Sequence, residues 1–129
     1  MVCVVDSHAL VWYLTDSPRL SRKAAELLEA ADSEIIVPTI VLAELKYLHH
    51  RNRIPLSLGA VRSLLRTDDR CSFVPLTDEI VDLLPVGLEI HDGIICATAL
   101  VLERIHAEPV TVVTCDREIT SAKLVETIW

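Results

Sequence analysis

The chain has 129 residues, of which 51% are hydrophobic, and it carries a net charge of −7 with only three glycines. This length fits a single domain, and no apolar run approaches the roughly 20 residues that a membrane-spanning helix requires. With so few glycines, neither a P-loop nor a G-x-G-x-x-G turn can be built, which disfavours enzymes that use nucleotide cofactors.

The N-terminal segment predicts a buried strand followed at once by a helix. Residues 1–5 are apolar and rich in β-branched side chains, which is typical of a strand covered on both faces. The strand ends at Asp6 and Ser7, and the helical pattern continues through Trp12 and Tyr13. Because residues 1–5 carry no basic leader, we expect no signal peptide and a cytoplasmic location.

The second strand, residues 35–37, leads into a long helix that we expect Thr39 to cap and that reaches about residue 52. Within this helix, Glu44 has only apolar neighbours and a tyrosine at three and four residues, and no lysine or arginine at i+4. Glu44 is therefore expected to face the apolar side. An unpaired buried carboxylate is costly, so an arginine or another cation from elsewhere in the fold must compensate it.

Residues 46–66 form a basic window that contains no acidic residue. Its positively charged side chains are Lys46, Arg51, Arg53, Arg62 and Arg66. Arg62 and Arg66 are four residues apart, so they form one stripe on a helix that Ser57 can cap. The pattern fits a solvated surface equally well as a phosphate-binding one, and it gains meaning only beside a site that handles phosphate.

The most apolar helix is predicted at residues 94–102, where Thr98 is the only polar residue. A helix without a polar face must be buried on all sides. Asp92 lies in its first turn, where a carboxylate can simply cap the free backbone N–H groups. However, its neighbours on the same face are Ile95 and Cys96, with no local cation, so capping and a functional role both remain open.

The cysteines and histidines do not predict a zinc site. Cys3, Cys71, Cys96 and Cys115 show no C-x-x-C spacing, and the five histidines form no H-x-x-H pattern. We expect the cysteines to be reduced and mostly buried.

Two further helices are predicted: Ser21 can cap one that reaches about residue 31, and Thr77 opens a short one. Further strands are predicted at residues 73–74, 110–113 and 124–128, with a helical turn at residues 119–122. Strands that alternate with helices predict one α/β domain over residues 1–129, with a central, mostly parallel sheet covered by helices on both faces.

Four acidic residues fall where such a sheet places its functional sites. Asp6 and Asp116 come just after strands, while Glu44 and Asp92 lie early in helices. Like charges can share one crevice only if a cation joins them, and carboxylate oxygens select Mg²⁺ or Mn²⁺. Such an ion is suited to activating water against a phosphodiester, so the predicted reaction is phosphodiester hydrolysis.

The segments around these acids are VVDSHALVW at Asp6, LAEL at Glu44, HDGIICATA at Asp92 and TCD ending at Asp116. Their order and contexts resemble the PIN-domain family, and more narrowly the VapC-type toxins of type II toxin–antitoxin modules. The resemblance implies a Mg²⁺- or Mn²⁺-dependent ribonuclease with these four acids as its catalytic, metal-binding quartet. It also implies a homodimer that a small cognate antitoxin inhibits.

In this family a hydroxyl residue near the last acid supports the first acid, and the resemblance gives Thr114 that position, with Ser7 as a further candidate. RNA binding is expected to depend on the basic window, residues 46–66, because the rest of the chain is acidic.

Two other classes of protein can be weighed against this interpretation. A phosphorylated receiver domain needs adjacent acids after its first strand, whereas Asp6 is followed by Ser7. A catalytically inactive PIN-like module that binds RNA or protein would lack members of the acidic quartet, and all four are present.

Overall fold

The computed structural model describes all 129 residues of the chain. The elements, in chain order, are β1 (Val2–Val5), α1 (Ser7–Leu14), α2 (Arg22–Glu29), β2 (Glu34–Pro38), α3 (Thr39–His50), α4 (Leu58–Arg66), β3 (Cys71–Val74), α5 (Asp78–Asp82), α6 (Ile90–His106), β4 (Val110–Val113), α7 (Arg117–Ala122) and β5 (Glu126–Ile128).

The five strands form one sheet in the order β3-β2-β1-β4-β5, and every neighbouring pair is parallel. At the centre, Val4 of β1 is in register with Ile36 on one side and with Val112 on the other. The predicted α/β class and parallel sheet are confirmed, and the sheet is entirely rather than mostly parallel.

The helices cover the sheet on both faces. All four residues of β1 are buried, and successive strand side chains point to opposite faces, so both faces of the central strand exclude water. Residues 93–99 of α6 are buried without exception, and α6 contacts β1, β2 and β4. Its burial ends before Ile105, which is 63% exposed. None of the seven helices has the combination of length and apolarity that crossing a bilayer requires.

Three of the four predicted helix caps are confirmed. The hydroxyls of Ser21, Ser57 and Thr77 each accept a hydrogen bond from a backbone N–H three residues later, at 3.1, 3.1 and 3.3 Å. The prediction that Thr39 caps α3 is wrong. β2 runs to Pro38 with no loop before the helix, so Thr39 is already helical and Pro38 occupies the capping position without a side-chain bond.

The guanidinium of Arg70 forms hydrogen bonds with three separate segments of the chain. Arg70 donates to both carboxylate oxygens of Asp68, at 3.0 and 2.7 Å, and to the carbonyls of Leu28 and Ala30, at 2.8 and 2.7 Å. It also donates to the Tyr13 hydroxyl at 3.2 Å. The hydrogen bonds from Arg70 lower the pKa of Asp68. The network therefore supplies partners to carbonyls at the end of α2, which the helix itself leaves free.

We expect Arg70→Met to lower the free energy of unfolding by about 2–4 kcal/mol, because it leaves several part-buried acceptors without their charged donor. Urea unfolding monitored by circular dichroism measures this loss. Arg22→Met is the matched control, since Arg22 pairs with Glu26 on an exposed surface and should contribute less than about 0.5 kcal/mol. Equal effects of the two substitutions would contradict the structural role of Arg70.

Candidate functional site

The candidate site lies where the chain changes direction across the sheet. β1 and β4 are neighbours, but the chain continues from β1 towards β2 and β3 on one side and from β4 towards β5 on the other. At such a switch point the loops diverge and leave a crevice at the carboxyl ends of the strands. Asp6 directly follows β1, and Thr114 and Asp116 follow β4.

Asp6 is held by hydrogen bonds to both of its carboxylate oxygens. It caps α1 by accepting a hydrogen bond from the N–H of Ala9 at 2.8 Å, and its second oxygen accepts a hydrogen bond from the hydroxyl of Thr114. The side chain is nearly buried, with the residue 9% exposed. Burial raises the pKa of Asp6, although both hydrogen bonds act in the opposite direction. The position of Asp6 is therefore fixed by hydrogen bonds, while burial disfavours its charged form.

Thr114 connects the first and last acids of the predicted quartet. It is fully buried, and its hydroxyl donates to Asp6 while accepting the backbone N–H of Asp116 at 3.0 Å. The carboxylate of Asp116 in turn caps α7 by accepting N–H groups at 2.8 and 3.3 Å. One hydroxyl thus links the loop after β4 to the carboxylate after β1.

Glu44 is half-buried in α3, and its carboxylate accepts a hydrogen bond from the Ser7 hydroxyl at 2.7 Å. No arginine compensates it, because the two ion pairs of the structure are Arg22–Glu26 and Arg70–Asp68. The alternative of a tertiary arginine partner for Glu44 is therefore wrong, and its direct partner is a neutral hydroxyl.

Asp92 lies in the first turn of α6, but it does not cap the helix. Glu89 occupies the capping position without a side-chain bond, and the Asp92 carboxylate accepts no hydrogen bond. The pKa of Asp92 is raised to about 6, mainly because burial disfavours its charged form and next because Asp116 repels it. Glu44 and Glu89 add repulsion, which His91 partly offsets. The capping interpretation of Asp92 is wrong, and its half-buried carboxylate has no hydrogen-bond partner within the protein.

All four predicted acids line one cavity of about 150 Å³, which we call the acidic cavity. Its lining residues are Asp6, Ser7, His8, Glu44, Glu89, His91, Asp92, Ile95 and Asp116. Sequence reasoning missed the roles of His8, Glu89 and His91 as lining residues. The signal available was proximity, since each is within three residues of a predicted acid.

Carboxylate oxygens without a basic partner suit a hard divalent cation. In the structure, however, no three acidic, histidine or cysteine side chains converge closely enough to form a ready-made metal site. The donor chemistry of the acidic cavity therefore fits Mg²⁺ or Mn²⁺, while binding an ion requires the carboxylates to draw closer together.

A second cavity, of about 440 Å³, adjoins the acidic cavity and shares Glu44 and His91 with it. We call it the basic groove, and it is lined by Ile40, Ala43, Glu44, Tyr47, Leu48, Arg51, Arg53 and His91. Only part of the basic window meets the site here. Lys46 lines a separate hollow with Tyr47 and His50, and Arg62 and Arg66 are exposed on α4 and line neither cavity.

Solved structures with the same fold include chains of two VapBC structures. A chain of the crystal structure of VapBC2 from Rickettsia felis, bound to a DNA fragment from their promoter, is 17% identical with a TM-score of 0.69; the match covers 100% of this chain and 99% of that one. A chain of VapBC-1 from nontypeable Haemophilus influenzae is 13% identical with a TM-score of 0.66, covering 99% and 97%.

No curated protein matches the sequence. A family model does match, namely that of the PIN domain, and the match extends over residues 3–124. This range contains all four predicted acids of the acidic cavity. The chain therefore belongs to the PIN domain family.

Proposed function

We propose that the chain is a Mg²⁺- or Mn²⁺-dependent endoribonuclease and the toxin of a VapBC-type toxin–antitoxin system, acting in the cytoplasm. The observation that carries the proposal is the acidic cavity, which Asp6, Glu44, Asp92 and Asp116 line without an ion pair to any lysine or arginine. A fold that gathers uncompensated carboxylates at one sheet edge sacrifices stability for a function that needs them. The full-length likeness to chains of two VapBC complexes supports the toxin assignment.

In the proposed site the four carboxylates would hold the ion, which when bound supplies an activated water and offsets charge on the phosphodiester. The chain contributes orientation. Thr114 and the N–H of Ala9 fix the two oxygens of Asp6, and Ser7 fixes one oxygen of Glu44. Hydrogen bonds of this kind orient metal-binding carboxylates in proteins generally, and losing one commonly lowers activity 10- to 100-fold.

RNA is the proposed substrate because the acidic cavity opens into the basic groove. Arg51 and Arg53 line that groove and can neutralise phosphates on either side of the cleaved bond. We further propose a homodimer and a cognate antitoxin as partners. An inactive PIN-like binding module is the alternative, and a cleavage assay distinguishes it from the nuclease.

Purified, antitoxin-free protein should cleave total RNA in Mg²⁺ or Mn²⁺, and EDTA should abolish the cleavage. Thr114→Val removes the hydroxyl that positions Asp6 and should lower the rate about 10- to 100-fold. Electrophoresis of the RNA after timed incubation measures both effects.

Thr98→Val is the matched control for this variant. Thr98 is equally buried, but its hydroxyl bonds only the Ile94 carbonyl of its own helix, at 2.7 Å. Its cleavage rate should remain within about twofold of wild type. Cleavage that persists in EDTA, or an equal loss in both valine variants, would contradict the proposed chemistry.

Divalent ions should raise the melting temperature of the wild type more than Na⁺ at equal ionic strength. An ion that binds only the native state contributes about 2.7 kcal/mol when present at about 100 times its Kd. Asp92→Asn removes one repelling charge and no hydrogen bond, so the metal-free variant should be at least as stable as wild type. It should lose most of the gain from Mn²⁺ and nearly all cleavage. Paired thermal melts with and without Mn²⁺ measure these differences.

The same variant tests the raised pKa of Asp92. Because the folded pKa, about 6, exceeds the unfolded value near 4, the native state binds more protons in between. The metal-free wild type should therefore lose stability relative to Asp92→Asn as the pH rises from about 4 to 6. The metal-site interpretation is wrong if divalent ions do not raise the melting temperature of the wild type and Asp92→Asn only lowers it.

Arg51→Ala combined with Arg53→Ala should weaken RNA binding and reduce the steepness of its salt dependence by about 1.4 logarithmic units per decade of salt, the value for two phosphates on a single strand. Arg62→Ala with Arg66→Ala removes the same charge from α4, outside the basic groove, and should have a smaller effect. Fluorescence anisotropy across a salt series measures both slopes. If the α4 pair has the larger effect, RNA binds along α4 and not in the basic groove.

A further inference from the structure

Tyr47 is an exposed aromatic side chain that the fold does not use. It is 67% exposed, it packs against no other aromatic ring, and its hydroxyl makes no hydrogen bond. The other tyrosine, Tyr13, is half-buried and exchanges hydrogen bonds with Arg70 and Leu28. The ring of Tyr47 is therefore held by neither packing nor a hydrogen bond, and its face is accessible to a ligand.

The surroundings of this ring are cationic on one side and acidic on the other. Tyr47 lies in the basic groove with Arg51 and Arg53, and the guanidinium of Arg51 is 6.0 Å from the centre of the ring. Glu44 precedes Tyr47 by three residues on α3, so the two side chains are neighbours on one helical face. The ring thus stands beside the wall that the basic groove shares with the acidic cavity.

We propose that Tyr47 is a stacking platform for an unpaired nucleobase of single-stranded RNA, adjacent to the phosphodiester held at the acidic cavity. The inference rests on the proposed nuclease function and adds a substrate-positioning residue to it. Aromatic rings beside a positively charged groove bind single strands by stacking on the face that every base presents. Arg51 and Arg53 neutralise the neighbouring phosphates, and the ring orients the base between them.

Charge decides between RNA and a protein partner for this surface. The basic groove contains two arginines within a stretch of the chain that has no acidic residue except Glu44 at its border. Other exposed apolar side chains occur on α5 and α6, where Val81 is 48% and Ile105 63% exposed. The cavity that Ile105 lines contains one arginine, Arg104, and two acids, Glu79 and Asp82, so cations do not predominate there. A polyanion therefore fits the basic groove better than an apolar protein segment does.

The test compares two probes of equal charge, labelled oligouridine and a fully abasic strand of the same length, by anisotropy in EDTA at low salt. Tyr47→Leu should bind oligouridine about tenfold more weakly and the abasic strand as wild type does. Tyr47→Phe retains the ring and should stay within about twofold of wild type. Phe73→Leu removes another exposed ring, 40% exposed on β3, and should change neither affinity.

Equal weakening of both probes by Tyr47→Leu, unchanged binding of oligouridine, or an equal loss in Tyr47→Phe would overturn the stacking role. Sedimentation of each variant accompanies the binding assay. If Tyr47→Leu dissociates a dimer without discriminating between the probes, Tyr47 belongs to an interface between copies and the proposal is wrong.

Cleavage of total RNA by the wild type separates the two levels of the proposal. If the wild type cleaves RNA but Tyr47→Leu does not change the affinity for oligouridine, only the stacking role is overturned. Base-dependent binding without any cleavage supports the stacking role and overturns the nuclease. A wild type that neither binds nor cleaves RNA overturns both.

Discussion

The hydrogen bond from the Thr114 hydroxyl to the Asp6 carboxylate is the interaction on which the site depends. It joins the ends of two adjacent parallel strands, and the same hydroxyl accepts the N–H of Asp116. Both acids also cap helices, α1 and α7, so their orientation is determined by backbone as well as side-chain partners. Asp6 can therefore remain nearly buried next to other carboxylates, with a pKa raised by burial, without losing its position.

The apolar core makes this arrangement rigid enough to persist. The five carboxylates that line the acidic cavity repel one another, and the repulsion must be offset by burial elsewhere. α6 contributes much of that burial, because its segment from residue 93 to 99 has no exposed side chain and anchors the turn that carries Asp92. β1 and β4 are almost entirely buried beside it. The carboxylates thus lie directly beside the buried apolar core.

The acidic cavity and the basic groove meet at Glu44 and His91, so negative and positive side chains lie next to each other on this surface. A polyanionic strand is attracted by the arginines of the basic groove and repelled by the carboxylates until a cation screens them. In the proposed nuclease, substrate binding and catalysis would therefore depend on opposite charges in two adjoining cavities. The net charge of −7 conceals this division, because most acids lie away from the groove.

Local patterns were sufficient to predict the parallel α/β fold, the buried helix after Asp92 and three helix caps, since burial and capping depend on residues close in sequence. They also singled out four of the five acids that line the acidic cavity, because each of the four stands at a strand end or early in a helix. Thr39 was mispredicted as a cap because β2 continues directly into α3, which side-chain type alone does not reveal.

Only the tertiary structure decided which distant residues become partners. It gave Glu44 the Ser7 hydroxyl rather than an arginine, left Asp92 without a hydrogen bond, and brought Arg51 and Arg53 but not Arg62 and Arg66 to the acids. These outcomes depend on how α1, α3, α4 and α6 pack around the sheet. Helix packing sums many weak apolar contacts across the whole chain, so a charge's neighbours in space cannot be derived from its neighbours in sequence.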